Sequence, residues 1–141
     1  MTDIEGLRAS ARRLHAHYDV EPEIVVADGA RRKVGFQVRL WGVHPKGAGV
    51  LPGCSRCREL DRELRRIAAF VVPREERPTR LELEPLRPAL YDSSVVPGAD
   101  EIALSIRLLH RQGYDQPVDA CEDRCLKEIL ARLRQLGVPE R

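Results

Sequence analysis

Long apolar runs, a strong net charge and the common catalytic motifs are all missing from this sequence of 141 residues. No apolar stretch approaches the roughly 20 residues that a membrane-spanning helix needs. Charged and polar side chains interrupt residues 1–19, so this stretch lacks the apolar centre of a secretory signal. We therefore expect a cytoplasmic protein with no membrane contact, in a compartment where thiols stay reduced.

Charge of one sign is also scarce, since 24 Lys and Arg stand against 22 Asp and Glu, for a formal net charge of +2. Residues 1–73 hold 13 basic and 9 acidic side chains, and residues 74–141 hold 11 and 13. Neither half has the strongly basic stripe that is typical of proteins that bind nucleic acid. A protein partner is therefore favoured over nucleic acid.

Lysine is the rare cation, because 21 of the 24 basic residues are arginine. The codon bias of a GC-rich genome is the simplest explanation. A planar guanidinium also suits phosphate and carboxylate groups better than an ammonium does. Binding of such anions therefore stays open as an alternative explanation of the arginine content.

Recognisable catalytic motifs are absent as well. The sequence has no phosphate-binding loop, no dinucleotide-binding fingerprint and no H-E-x-x-H zinc motif. Ser93 and Ser94 lack the glycine pattern of a nucleophile elbow. Because an enzyme usually needs several polar groups that converge on a pocket, these absences favour a binding or regulatory protein over a catalyst.

Material for a hydrophobic core is present in ordinary amounts. Apolar residues make up 43% of the chain and charged residues 33%, a balance typical of soluble globular domains. A chain of 141 residues can bury a core without help from disulfides. We predict a single domain over residues 1–141.

The first predicted elements are a helix and a β-hairpin. Apolar residues recur at spacings of three and four, which predicts an amphipathic helix over 3–17 that begins with a Thr2/Glu5 capping box. The apolar stripe consists of Ile4, Leu7, Ala11, Leu14 and Tyr18. Asp28-Gly29 then predicts a tight turn between two strands, because glycine tolerates positive φ. The residues of the return strand predicted to face the core are Val34, Phe36, Val38 and Leu40.

The rest of the chain alternates helices with strands. The further predicted elements are a helix at 55–71, a strand at 79–85 that lies at an edge or ends early, a strand at 101–111 and a helix at about 120–136 with an Asp119/Glu122 capping box. This order predicts the α+β class. An antiparallel sheet of about four strands should pack against helices, with the N-terminal helix as an added cover.

An internal ββα repeat is one interpretation of this order. The half-repeats would be 21–73 and 79–139. A shift of 68 places 34–40 on 102–108 and Cys57 on Cys125, whereas the helix faces need a shift of 69. Two such halves would pack about a pseudo-twofold axis.

All four cysteines lie in two pairs at predicted helix starts. Cys54 and Cys57 are three residues apart, Cys121 and Cys125 are four apart, and each spacing places both side chains on one helical face. A helix N-terminus and neighbouring basic residues stabilise thiolates. We predict that the four cysteines share one structural zinc ion.

Other interpretations of the cysteines stay open. Cys54 and Cys57 form a C-x-x-C motif at a helix start, which a thiol-disulfide oxidoreductase requires, although the expected βαβ context is missing. A four-cysteine iron–sulfur cluster has the right ligands but not the compact spacing. The cysteines can also be small buried residues without a metal.

Trp41 and Arg39 form the second predicted site. Both lie on the side of their strand that is opposite to the apolar series. We expect the N-terminal helix to cover Trp41. If it does not, the exposed indole beside Arg39 is an anchor for a protein partner.

Overall fold

The fold belongs to the α+β class, as predicted. The computed structural model describes residues 3–45, 55–72, 79–85, 91–92, 96, 99–110 and 124–141. Their elements, in chain order, are α1 (Ile4–Arg13), β1 (His17–Ala27), β2 (Ala30–Pro45), α2 (Ser55–Val71), β3 (Thr79–Pro85), β4 (Tyr91–Asp92), β5 (Ala99–His110) and α3 (Arg124–Gln135). Within these ranges, no helix is both long and apolar enough to cross a membrane.

One antiparallel sheet organises the molecule. Its main strands lie in the order β1-β2-β5-β3, and the two-residue β4 also pairs with β5. The prediction of about four antiparallel strands is therefore confirmed, and among the described strands β3 pairs with β5 alone. β2 and β5 form the centre of the sheet, where Val38 is the register partner of Ile106.

The β1–β2 hairpin closes through the predicted turn. Asp28 and Gly29 have φ values of 52° and 75°. Two successive positive φ values are typical of a type I′ turn, whose twist matches that of the flanking strands. A bulge between Glu23 and Ile24 shifts the register by one residue, because Glu23 pairs with Gly35 whereas Ile24 pairs with Lys33. The exposed tip of the hairpin therefore has a different register from its base.

The core lies between the sheet and the helices, on what we call the helix face of the sheet. The four residues of β2 that were predicted to face the core are buried. In β5, Leu104, Ile106 and Leu108 are buried in the same core, and Ile102 is partly buried against it. Gly42 lets α2 approach closely, because a Cβ atom at this position would lie 2.6 Å from Leu60 Cδ1. The helices contribute Leu7 and Ala11 from α1, Leu60, Leu64, Ile67, Ala68 and Val71 from α2, and Cys125, Leu126, Ile129 and Leu133 from α3.

The N-terminal helix begins and ends differently from the prediction. Its N-cap is Asp3, whose Oδ1 accepts a hydrogen bond of 2.9 Å from Gly6 N. The Thr2/Glu5 capping box is therefore wrong, since a carboxylate at the next position caps the helix instead. α1 ends at Arg13, and Tyr18, predicted on the same helical stripe, lies in β1.

Candidate functional site

The predicted zinc ligands are only partly within the described structure. Cys54 and Cys121 lie outside the described residues, and the side chain of Cys57 is likewise not described. Cys125 lies in α3 and is buried in the hydrophobic core. Among the side chains that the structure describes, no group of three or more His, Cys, Asp or Glu is arranged to hold a metal. That search includes one of the four cysteines, so the zinc site stays a prediction.

The two helices beside the cysteines pack against the same sheet face. α2 begins at Ser55, directly after Cys54, and α3 begins at Arg124, one residue before Cys125. In the last turn of α3, Arg132 Nη1 donates a hydrogen bond of 3.0 Å to Phe70 O near the end of α2. Cys57 and Cys125 therefore lie near the starts of two helices of one layer.

Arg39 and Trp41 lie on the opposite side of the sheet, which we call the polar face. Its residues considered below are His17, Asp19, Arg39, Trp41 and Glu101. Asp19 connects the predicted pair, because its Oδ1 accepts hydrogen bonds from Arg39 Nε at 2.9 Å and Trp41 Nε1 at 3.0 Å. A second Arg39 nitrogen donates to Asp19 Oδ2 and to Glu21 Oε1. The binding role predicted for Arg39 and Trp41 stays untested.

These contacts set the charge of Asp19. Partial burial alone would raise the pKa of this carboxyl. The hydrogen bonds from Arg39 and Trp41, together with the positive charges of Arg39 and Arg141, outweigh burial and lower the pKa below its ordinary value. Asp19 is therefore held as a carboxylate at neutral pH.

Trp41 is buried, with 4% of its surface exposed. The guanidinium of Arg141 lies 4.2 Å from the centre of its ring system, and Arg39 lies 5.3 Å away. The ring of His17 is nearly parallel to the indole, at 6.4 Å between centroids. The Arg141 side chain over the indole thus comes from the segment 137–141.

A buried charge cluster adjoins this tryptophan. His17 Nε2 lies 3.3 Å from Glu101 Oε1, and Arg141 Nη1 lies 3.2 Å from Glu101 Oε2. Glu101 has no exposed side-chain surface, whereas the side chain of Arg141 is 30% exposed. A buried carboxylate is costly unless positive groups and hydrogen bonds compensate its charge, and here two basic side chains provide that compensation.

The hydrogen bonds of His17 define which of its nitrogens carries a proton. Nδ1 lies 2.8 Å from the carbonyl oxygen of His15, which can only accept, so Nδ1 is the donor of this bond. Nε2 faces the Glu101 carboxyl group.

Two matching helix ends bring the distant parts of this cluster together. After α1, Ala16 N donates to Ala11 O at 2.8 Å, and after α3, Val138 N donates to Leu133 O at 2.9 Å. Both are the six-to-one hydrogen bond of a Schellman motif. Its left-handed position is occupied by Gly137 after α3 but by His15, at φ 50°, after α1.

The two chains that leave these motifs then run in parallel. Tyr18 N donates to Pro139 O at 3.0 Å, and Arg141 N donates to Tyr18 O at 2.6 Å. This bridge places the segment 137–141 along the outer edge of β1. It also brings the Arg141 side chain over the polar face.

A cleft of about 400 Å³ lies between the two helix ends. Its lining residues are Ala11, Arg12, His15, Ala16, His17, Gly137, Pro139, Glu140 and Arg141. The volume falls within the roughly 300–1,000 Å³ of small-molecule sites. Since His17 and Arg141 belong both to the lining and to the buried charge cluster, the cleft and the cluster form one candidate site.

Sequence reasoning did not single out His17, Glu101 or Arg141. One signal was available in the sequence, because Glu101, Ala103 and Ser105 alternate with the apolar residues of β5. In the structure all three are buried. Small or polar residues on the second face of a central strand indicate that this face is also covered. The contact of Arg141 with Glu101 has no local signal in the sequence.

No protein-family model matches this chain, and neither does any curated protein or solved structure.

Proposed function

We propose that this is a small, non-enzymatic binding or regulatory protein of the cytoplasm, whose fold is stabilised by one zinc ion held by Cys54, Cys57, Cys121 and Cys125. The observation that carries the proposal is the start of α2 and of α3 beside the two cysteine pairs. Four thiolates around Zn²⁺ make a closed site, which stabilises a fold and leaves no position open for a substrate.

Helix starts are favourable places for such ligands. The positive end of the helix dipole stabilises thiolates, and basic side chains nearby add to this effect. Arg58 in α2 and Lys127 in α3 are exposed basic residues of the first two turns. Zinc thiolate sites carry net negative charge, so these residues would offset part of it.

The internal repeat stays a prediction, supported at the centre of the sheet. The shift of 68 places Val38 on Ile106, and these two residues are direct register partners, as a twofold axis between β2 and β5 requires. The outer strands do not follow this rule, since the same shift does not superpose β1 on β3.

Metal analysis tests the zinc proposal. Protein purified without added metal should contain about one zinc per chain, and Cys125→Ser should lower both the metal content and the free energy of unfolding. Cys125→Ser also changes a core residue, so Ala68→Ser, a polar change at another buried helical position, is the matched control. It should lower stability without lowering the metal content. Metal-free protein with four freely titrating thiols would contradict the proposal.

The alternative function is a thiol-disulfide oxidoreductase that uses Cys54 and Cys57. The position of Cys54 directly before α2 favours it, because the first cysteine of such a motif needs the helix dipole to lower its pKa. The two functions make opposite demands on Cys54, which must be shielded in a zinc site and reactive in a redox site.

A further inference from the structure

The geometry points to the cleft between the end of α1 and the segment 137–141 as a binding site for a small anion that carries a carboxylate or phosphate group. Arg12 and Arg141 would hold the anionic group, and His17 would lie at its inner side. This inference gives a ligand class to the proposed binding function, but it does not depend on the zinc site, because no cysteine lines the cleft.

The first argument is the charge of the lining. Its charged side chains are Arg12, Arg141 and Glu140, and Arg141 already lies 3.2 Å from Glu101. Within the described part of the chain, the guanidinium of Arg12 has neither a hydrogen bond nor an ion pair, and it is exposed at the cleft. A free guanidinium beside a concave surface is suited to bidentate binding of a carboxylate or phosphate.

The second argument is that Arg141 is already held in place. Its Nη1 lies 3.2 Å from Glu101 Oε2 in an ion pair, and its guanidinium lies 4.2 Å from the centre of the Trp41 ring. The backbone bridge to Tyr18 fixes the chain on either side of residue 140. A side chain that is oriented before binding loses less conformational entropy when a ligand arrives.

Helix dipoles are the main argument against an anion here. The C-terminal ends of α1 and α3 both face the cleft, and such ends carry partial negative charge. Their last carbonyl groups are, however, already used as acceptors. The Schellman motifs occupy most of them, and Arg8 Nε donates to Gln135 O at 2.8 Å. The free guanidinium of Arg12 then decides the sign of the preferred ligand.

The tryptophan provides the test, since Trp41 is the single Trp of the chain and contacts Arg141. The full chain, with its metal content measured first, is titrated with inorganic phosphate and separately with succinate, at an ionic strength kept constant with sodium chloride. We expect a saturable change in Trp41 fluorescence and a rise in the thermal midpoint, which follows from mass action. Saturation by phosphate alone identifies a phosphate ligand, and saturation by succinate alone a carboxylate.

Arg12→Gln should weaken binding about tenfold, the effect expected from the loss of a charge-assisted hydrogen bond. Arg13→Gln is the matched control, because Arg13 pairs with Glu59 and Glu63 of α2 and does not line the cleft. It should retain the affinity of the unmutated protein. The inference is overturned if neither anion changes either signal at about 100 mM, where even a Kd of about 10 mM gives near saturation. Equal binding by Arg12→Gln and the unmutated protein also overturns it. A negative zinc analysis leaves this titration unaffected.

Discussion

Glu101 Oε1 lies 3.3 Å from His17 Nε2 in the interior of the protein, and neither side chain is more than 3% exposed. The two residues lie on strands that do not pair with each other, since β2 separates β1 from β5. Arg141 approaches the same carboxylate from the segment 137–141. The Glu101 carboxylate thus connects three separate parts of the chain, and its charge is part of what holds them together.

Glu101→Gln removes that charge with little change in shape. We expect the free energy of unfolding at pH 7 to fall by about 1–3 kcal/mol, because His17 and Arg141 lose their common acceptor charge in a buried site. Chemical denaturation measures the change. Asp100→Asn, at the preceding position of β5, is the control and should stay within about 0.5 kcal/mol. An equally small effect of Glu101→Gln would show that the cluster contributes nothing to stability.

Asp19 predicts a pH dependence at the acidic end. Its folded-state pKa is below the ordinary value of 3.8, so the unfolded chain takes up the proton first as the pH falls. The stabilisation by Asp19 is therefore complete above pH 3.8 and is lost as the pH falls through the folded-state pKa. Asp19→Asn should be less stable than the unmutated protein at neutral pH, and the difference should shrink below that value.

Urea denaturation between pH 2 and pH 7 measures this difference. Asp28→Asn controls for the loss of one carboxylate, since it lies in an exposed turn where asparagine is equally acceptable. A constant difference between the unmutated protein and Asp19→Asn across this range contradicts the role given to Arg39 and Trp41.

The two helix ends give a prediction about backbone strain. His15 has φ 50° in a position where glycine is preferred, so His15→Gly should raise the free energy of unfolding by about 0.5–1 kcal/mol. Gly137→Ala should lower it by about 1 kcal/mol, because φ is 73° there. A Cβ at Gly137 meets no atom within 4 Å, so the backbone alone accounts for the loss.

Arg12→Gly, inside α1, is the control for the first of these changes. It should cost about 1 kcal/mol, since glycine weakens a helix interior. Thermal unfolding at pH 7 measures the stability of His15→Gly, Gly137→Ala and Arg12→Gly relative to the unmutated protein. If His15→Gly is destabilising, then the His15 side chain stabilises the cleft by more than its backbone strain costs.

Local patterns predicted the elements well where one face of an element decides its burial. The alternation of Val38 and Leu40 in β2 was sufficient to assign their side chains to the core, and the apolar spacing over 55–71 was sufficient to predict α2. Side chains alternate between the two faces of a strand, which gives a period of two residues, and return to the same face of a helix every 3.6 residues.

The candidate site could not be predicted in this way. Glu101 and Arg141 come together because α3 ends in a Schellman motif and the following segment then pairs with Tyr18 of β1. No periodicity encodes that path. The N-cap of α1 could not be predicted from the sequence either, since Thr and Asp are both favoured at this position. The structure identifies Asp3 through the hydrogen bond that Gly6 N donates to its Oδ1.

Thiol reactivity separates the zinc function from the redox function. A closed zinc site shields all four thiolates, so we expect slow alkylation in the unmutated protein and faster alkylation of Cys54 and Cys57 in Cys121→Ser, whose shared metal is weakened. A redox site instead has a reactive Cys54 from the start, with Cys57 as the resolving thiol, and the distant pair has little influence on it.

Alkylation followed by peptide mass mapping gives the rate at each cysteine. A destabilised fold can also expose thiols, so Leu133→Ala is the control, since a buried leucine of α3 costs about 2–5 kcal/mol when it is truncated. Under the zinc proposal, Cys121→Ser accelerates Cys54 and Cys57 more than Leu133→Ala does and releases metal, whereas Leu133→Ala retains it. Rapid and selective modification of Cys54 in the unmutated protein, together with disulfide reductase activity, would establish the oxidoreductase in place of the zinc site.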